Sequence, residues 1–222
     1  MSKPNLINWI EKLDNDKSFH YWNDEEIEKK KIFYINNEGS LKNIKNSRHL
    51  NAIKNEFEII IQKYNIDFSN KNIFSLGSGT GWIESLVLKS YNFKSLNLLD
   101  FSKHRILSLA PKTVELNIKD ITNVNFIYGN MYDLKIKDSS VDYFILTQAF
   151  HHADEPLELL KSIYFKLKSD GKVIIIGEPY FNFFSTIKHF GYHFIKYLLN
   201  YKNYRKIHYI IPGYNDLFPP DQ

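Results

Sequence analysis

The stretch from Ile73 to Leu88, IFSLGSGTGWIESLVL, joins an apolar strand pattern to a glycine-rich turn and then to a helix pattern. Gly77 and Gly79 suit a turn with positive φ and a close approach of the backbone to a ligand, because a Cβ hinders both. Gly81 opens the predicted helix, whose first N–H groups have no partner inside the helix and can bind a carboxylate or a phosphate. The pattern therefore predicts a strand, loop and helix junction that holds a nucleotide-like ligand.

The spacing of the glycines distinguishes two kinds of nucleotide site. A dinucleotide fingerprint is G-x-G-x-x-G, and its third glycine allows close packing of the helix on the strand. Here the third position is Trp82, which weakens the dinucleotide interpretation on steric grounds. Gly77, Gly79 and Gly81 form G-x-G-x-G instead. An ordinary tight turn between strand and helix remains the alternative.

Composition limits the classes of protein and of chemistry. At 222 residues with 43% hydrophobic residues, the chain can bury one sizeable core, so we expect one domain with appendages. There are no cysteines, which excludes disulfides, cysteine-ligated zinc, iron–sulfur clusters and a thiolate nucleophile. Any catalysis must use oxygen and nitrogen groups or a cofactor.

Charge and hydropathy along the chain favour a cytoplasmic protein. The first 16 residues, MSKPNLINWIEKLDND, lack the apolar region of a signal peptide, and no apolar run approaches the roughly 18 residues of a transmembrane segment. The net charge of +4 says little about nucleic acid, and no nucleic-acid-binding motif is evident. The sequence does not indicate an oligomeric state.

The periodicity of apolar residues predicts three regions: a helical segment over 1–70, an α/β core over 71–180 and an aromatic, basic region over 181–222. The first region has helix patterns at Leu6–Leu13, Asp24–Tyr34 and Ser47–Tyr64, the last with Ser47 as N-cap. Five short apolar runs then alternate with helical segments, at Ile73–Leu76, Leu96–Leu99, Val124–Tyr128, Val141–Leu146 and Val173–Gly177. This alternation predicts right-handed βαβ units and a parallel sheet covered on both faces, with its ligand at the carboxyl ends of the strands.

An acidic residue ends the second predicted strand. Asp100 follows the glycine loop by about 20 residues, at the distance where a carboxylate accepts hydrogen bonds from ribose hydroxyls. Phe101, the next residue, could lie against an adenine ring. A turn aspartate at the end of a strand is the alternative interpretation.

Taken in order, four features resemble the class I S-adenosylmethionine-dependent methyltransferases over about Ser47 to Tyr180. They are the glycine loop, Asp100, the acidic stretch Asp138–Asp142 before the fourth strand, and His151-His152 after it. The resemblance implies a Rossmann-like α/β sandwich with a mostly parallel sheet in the order 3-2-1-4-5. Such enzymes commonly end with two further strands that are not evident here, so a truncated chain or a reduced fold is expected.

The resemblance also implies S-adenosylmethionine as cofactor, with S-adenosylhomocysteine as product. Asn130 stands where the family usually has an acidic residue that meets the adenine amino group, and an amide can make comparable hydrogen bonds. The segment after the fourth strand would border the methionine part of the cofactor. The residues predicted to bind the cofactor are Gly77, Ser78, Gly79, Gly81, Trp82, Asp100, Phe101, Asn130, Met131 and Gln148.

Three residues are candidates for catalysis. His151 or His152 could take a proton from an attacking hydroxyl or amine, because the pKa of histidine lies near neutral pH. Alternatively, one caps the following helix and the other packs. Glu178, after the fifth strand, could face the substrate or pair with a lysine. No further ligand stands at a spacing that would make the histidines a metal site.

The segment from Tyr180 to Ile211 predicts a helical cover over the acceptor side of the site. It combines aromatic residues with five positive charges and has no acidic residue, which favours an anionic substrate or peripheral contact with a membrane surface. We therefore expect methyl transfer to a small anionic acceptor, such as a phosphorylated or nucleotide-linked metabolite or a polysaccharide precursor. An NAD-dependent oxidoreductase and a noncatalytic protein that binds a cofactor or a partner remain open.

Overall fold

The computed structural model describes residues 3–11 and 45–178, which build a parallel β-sheet with helices on both faces. The strands are β1 (Asn5–Asn8), β2 (Asn72–Leu76), β3 (Ser95–Asp100), β4 (Val124–Tyr128), β5 (Val141–Thr147) and β6 (Leu167–Ile176). The helices are α1 (Arg48–Lys63), α2 (Trp82–Leu88), α3 (Ala110–Glu115) and α4 (Pro156–Lys166). A π-helical turn (Arg105–Leu109) precedes α3, and a 3₁₀ turn (Phe150–His152) precedes α4.

The sheet has the order β1-β4-β3-β2-β5-β6, and every strand pair is parallel. Five of these strands are the predicted ones, so the predicted order 3-2-1-4-5 is confirmed as β4-β3-β2-β5-β6. Asp170 and Gly171 lie inside β6, where the register shifts between the pairs Val141–Leu167 and Tyr143–Lys172. The order reverses at β2, which places the glycine loop at the switch point where open α/β sheets bind their ligands.

Two apolar cores cover the two faces of the sheet. Helices α1, α2 and α3 pack on one face, with Phe57 and Leu88 fully buried, and α4 packs on the other. The N-cap of α1 is confirmed, since Ser47 Oγ accepts a hydrogen bond from Leu50 N at 3.3 Å. The stripe that includes Ile53, Phe57 and Ile61 is the buried side of α1, as the helical spacing predicts.

The strand β1, which makes the sheet six-stranded, was not predicted. The helix expected over Leu6–Leu13 is wrong at Asn5–Asn8, where the chain is extended and pairs with β4. Asn5 Nδ2 donates to Asn125 Oδ1, and Asn125 Nδ2 donates to Asn97 Oδ1 at 2.7 Å, so an asparagine ladder (Asn5, Asn125, Asn97) crosses three strands. These distant partners override a weak local helix pattern. The helix predicted over Asp24–Tyr34 and the segment from Tyr180 onward lie outside the described residues.

The acidic stretch before β5 supports the fold rather than the ligand site. Asp142 lies near the amino end of β5, at the edge of the sheet opposite the glycine loop. Its Oδ2 accepts hydrogen bonds from Asn72 N at 2.9 Å and Lys168 Nζ at 2.8 Å, and Lys71 Nζ lies 3.6 Å from Oδ1. The side chain is 8% exposed, so this ion-paired network is largely shielded from water.

We expect Asp142→Asn to lower the free energy of unfolding at pH 7 by about 2 kcal/mol, because a buried charge-assisted network loses its anion. Burial opposes ionisation of Asp142, but the hydrogen bonds from Lys168 and Asn72 and the two lysine charges outweigh it and lower its pKa. A lowered pKa stabilises the fold above the unfolded value of about 3.9 and loses that effect as pH falls through the folded value. Urea unfolding from pH 7 down to pH 3 should therefore show the difference between variant and parent shrinking below about pH 4. Asp133→Asn removes an exposed partner of Lys135 and should change stability little at any pH.

Candidate functional site

The glycine loop follows the last residue of β2 and ends where α2 begins. Gly77, Gly79 and Gly81 all have positive φ, at 66°, 56° and 66°, and Gly81 is the N-cap of α2. L-residues with a side chain rarely adopt this conformation, which explains why three glycines alternate here. The predicted turn with positive φ is confirmed.

The three glycines differ in what surrounds them. A Cβ on Gly77 would lie 2.6 Å from Ala149 Cβ, and a Cβ on Gly81 would lie 2.8 Å from Leu98 Cδ1. A Cβ on Gly79 would meet no protein atom within 4 Å. Gly77 therefore allows the loop to pack on the segment after β5, and Gly81 allows it to pack on β3. Gly79 instead leaves open space at the middle of the loop.

The side chains of Trp82 and Ser78 are buried and do not occupy the open space beside Gly79. Trp82 is 7% exposed and packs in the core, while Gly81 makes the close packing against β3 that a third glycine of a dinucleotide fingerprint would make. Ser78 is also buried, and both its N and its Oγ donate to Leu99 O, at 3.0 and 3.4 Å. Neither side chain is directed at the space beside Gly79, so any role in binding falls to their backbone atoms.

Asp100 connects the end of β3 to the glycine loop. Its Oδ2 accepts a hydrogen bond from Gly79 N at 2.7 Å, and its Oδ1 accepts one from Ser102 N at 2.7 Å. Each carboxylate oxygen therefore holds a backbone N–H, one in the glycine loop and one just after β3. Asp100 is thus both a support of the loop and a candidate ligand-binding group. Phe101, beside it, is half-buried against the core.

The chain after β3 has a further polar group close to Asp100. Ser102 Oγ is buried and has no hydrogen-bond partner, which is uncommon for a hydroxyl in a folded protein. The π-helical turn that follows closes with a bond from Ala110 N to Arg105 O, next to Pro111, which has no N–H to continue a regular helix. Such turns are frequent at functional sites.

Asn130 forms a turn after β4. Its Oδ1 accepts a hydrogen bond from Tyr132 N at 3.0 Å, which stabilises the turn. Gly129 N donates to Asp100 O at 3.1 Å. Asn130 therefore lies two residues after a strand that is paired directly with β3. Met131 is half-buried against the second core.

Gln148 follows β5 with a positive φ of 52°, an unfavourable value for a residue that is not glycine. Its N donates to Ile176 O at 2.9 Å, and its Nε2 lies 2.7 Å from Nε2 of His49, in the first turn of α1. Backbone strain of this kind concentrates at functional sites. His49 was not predicted, because its partner is 99 positions away and the residue stands alone on an exposed helix turn.

His151 and His152 lie in the 3₁₀ turn between β5 and α4. Both are half-buried, and their ring centroids are 4.0 Å apart. The turn begins close to the glycine loop, because Ala149 is the residue that contacts Gly77. Glu178 lies two residues after β6 and is the last described residue.

Glu84 in the first turn of α2 was also missed by sequence analysis. Its side chain is buried beneath the glycine loop, and its Oε1 accepts hydrogen bonds from Ser75 Oγ at 2.9 Å and Thr147 Oγ1 at 3.0 Å. A glutamate in the first turn of a helix ordinarily faces water, where it complements the helix dipole. No sequence signal separates the buried case from the exposed one.

Within residues 3–11 and 45–178, no cluster of three or more histidine or acidic side chains has the geometry to hold a metal ion. The helices described in the same ranges are all too short or too polar to cross a membrane.

Comparison with known proteins assigns this arrangement to a family. Residues 74–175, from β2 to the end of β6, match the family model described as a methyltransferase domain. The ubiquinone/menaquinone biosynthesis C-methyltransferase of Wigglesworthia glossinidia brevipalpis is 31% identical over 121 residues, which are 53% of this chain and 48% of the relative. The malonyl-[acyl-carrier protein] O-methyltransferase of Halalkalibacterium halodurans is 29% identical over 105 residues, 46% of this chain and 37% of the relative. The chain thus spans less than half the length of these curated relatives.

A solved structure extends the similarity of fold. A Methanococcus maripaludis protein assigned as an S-adenosyl-L-methionine-dependent methyltransferase superimposes with a TM-score of 0.55 and 21% identity, covering 87% of this chain and 78% of that one. The residues that the family model matches include the glycine loop, Asp100 and the turn after β5, which are features that carried the resemblance in the sequence. These comparisons support a place for residues 74–175 in the class I S-adenosylmethionine-dependent methyltransferase family, whose cofactor is S-adenosylmethionine.

Proposed function

We propose that this protein transfers a methyl group from S-adenosylmethionine to a small-molecule acceptor. The observation that carries the proposal is the bond from Gly79 N to Asp100 Oδ2, at 2.7 Å. It joins a glycine whose Cβ position is open to the carboxylate that ends β3, at the switch point of the sheet. The oxidoreductase alternative has no support, because Trp82 fills the position of the third glycine with a buried indole.

The residues at the switch point fit the cofactor. The space at Gly79 lets a ligand approach the backbone, and Asp100, which bonds to Gly79 N, is our candidate acceptor for the ribose hydroxyls. Ser102 adds a buried hydroxyl without a partner beside Asp100. Phe101 and Asn130 are our candidates for the adenine, and Gln148 is our candidate for the methionine part.

When bound, S-adenosylmethionine supplies a methyl group already activated by its sulfonium. The chain then has to align the two reactants and exclude water, and orientation alone can contribute about 7 to 11 kcal/mol in ideal cases. His151 or His152 would take a proton from a weakly acidic acceptor at a ring nitrogen, which is worth roughly 10²- to 10⁴-fold. Glu178 is a further candidate at the acceptor side.

For the acceptor, we propose a small anionic molecule. The basic, aromatic composition of Tyr180–Ile211 supports this choice, although that segment lies outside the described residues. The relative from H. halodurans is named for a malonyl group, which carries a carboxylate. Incubation with S-adenosylmethionine labelled in its methyl group and a pool of metabolites from cell extract would identify the product by mass spectrometry. Cofactor binding with no labelled product would favour the noncatalytic alternative.

We expect S-adenosylmethionine and S-adenosylhomocysteine to raise the melting temperature. At about 100 times its dissociation constant, a ligand that binds only the folded state adds roughly 2.7 kcal/mol of stability. Differential scanning fluorimetry with increasing ligand measures this, and NADH at the same concentrations is the control that should have no effect. Tight NADH binding with no response to either S-adenosyl compound would overturn the assignment.

A further inference from the structure

Glu84 connects the three elements that meet beneath the glycine loop. It belongs to α2, and it accepts hydrogen bonds from Ser75 near the carboxyl end of β2 and from Thr147 at the carboxyl end of β5. Its residue exposure is 2%, so water does not solvate the carboxyl group. The proposed function above assigns no role to this group, although it lies between the loop and Gln148.

Burial is the main influence on the pKa of Glu84. Burial raises its pKa, the two hydroxyl donors act in the opposite direction, and the like charge of Asp100 raises it further. Asp100, on β3, is the charged side chain among the described residues that acts on Glu84, while β2 and β5 contribute only hydroxyl groups. The pKa of a buried carboxyl group changes far more when a charge appears nearby than the pKa of an exposed one, because the dielectric constant around it is low.

We propose that Glu84 is a specificity-determining residue that favours the positively charged methyl donor over its neutral product. This inference rests on the proposed function, because it requires the S-adenosyl compounds to bind beside the glycine loop. S-adenosylmethionine has one more positive charge than S-adenosylhomocysteine, namely that of the sulfonium. An ionised Glu84 attracts this charge through a medium of low dielectric constant and makes no corresponding interaction with the thioether of the product.

The charge difference has a functional consequence for turnover. Once the methyl group has left, the attraction that held the donor is gone, and Glu84 regains the tendency of a buried carboxyl group to take up a proton. The product is then bound less tightly than a fresh donor molecule, so the donor can replace it. Because its contacts are to Ser75 and Thr147, Glu84 acts from beneath the loop and is a positioning residue for charge, not a group that touches the reacting atoms.

The test compares the two ligands in the parent and in Glu84→Gln. Glutamine is close to isosteric and keeps an oxygen that can accept from Ser75 and Thr147, but it cannot ionise. Isothermal titration calorimetry at pH 8 should show that the affinity ratio of S-adenosylmethionine to S-adenosylhomocysteine falls about tenfold in the variant. The affinity for S-adenosylhomocysteine should stay within about twofold. Asp142→Asn is the matched control, because it neutralises another buried carboxylate at the opposite edge of the sheet and should leave the ratio unchanged.

A second measurement uses the parent protein alone, so it holds even if Glu84→Gln folds poorly. Because the donor favours ionised Glu84, the same ratio should rise with pH as the raised pKa is crossed. Equal loss of affinity for both ligands in Glu84→Gln, or a ratio that does not depend on Glu84 or on pH, would show a purely structural role and overturn the inference. The proposed function fails separately, if neither ligand binds to the parent.

Discussion

Gly77→Ala is expected to destabilise the fold by about 2–4 kcal/mol. The new Cβ would lie 2.6 Å from Ala149 Cβ, an atom that cannot rotate away because it is attached directly to the backbone. The positive φ of 66° adds the conformational cost of a left-handed residue, about 1–2 kcal/mol. Urea unfolding monitored by tryptophan fluorescence would measure the loss.

Gly79→Ala is the matched control for this substitution. It has a similar φ of 56°, but a Cβ there meets no protein atom within 4 Å, so only the conformational cost of about 1–2 kcal/mol applies to stability. Its effect should appear instead in the affinity for S-adenosylhomocysteine, since the Cβ enters the space that we assign to the ligand. If the two variants lose the same stability and bind equally well, the distinction between a packing glycine and a ligand-facing glycine is wrong.

Asp100→Ala is expected to weaken S-adenosylmethionine binding by about 10- to 100-fold, because charge-assisted hydrogen bonds to the ribose would be lost. The structure adds a second effect. Gly79 N and Ser102 N both donate to this carboxylate, so the variant should also lose about 1–3 kcal/mol of folding stability. Calorimetric binding and urea unfolding measure the two effects independently.

Asp100→Asn separates these contributions. The amide keeps one oxygen acceptor for the backbone but loses the charge and one acceptor oxygen, so stability should fall less than in the alanine variant while binding still weakens. Unchanged binding in both variants would mean that Asp100 only supports the turn and that the ribose lies elsewhere.

The sequence predicted the parts of the fold that depend on local pattern. Short apolar runs such as Val124–Tyr128 mark buried parallel strands, because both faces of such a strand are covered. The positive φ at Gly77, Gly79 and Gly81 follows from the absence of a Cβ, which is a property of the residues themselves. The strand order then follows from right-handed connections and from the switch point at the loop.

The features that were missed depend on partners far along the chain. The strand at Asn5–Asn8 is short and mostly exposed, and its pairing with β4 gives no alternating pattern to detect. Glu84 has the local features of a surface residue. Its burial depends on tertiary structure, in which Ser75 of β2 and Thr147 of β5 both donate to it. The contact of His49 with Gln148 joins a helix to a loop that no spacing in the sequence relates.

The asparagine ladder also sets an order of events in folding. Asn5 bonds to Asn125 and, through it, to Asn97, both more than 90 positions away, so β1 cannot add to the sheet until β4 has formed. Contacts of such long sequence separation close slowly. A slip of β1 by one residue would place Leu6 opposite Asn125 and leave amide groups without partners, which penalises the wrong alignment. We therefore expect β1 to dock after β4, and in a single register.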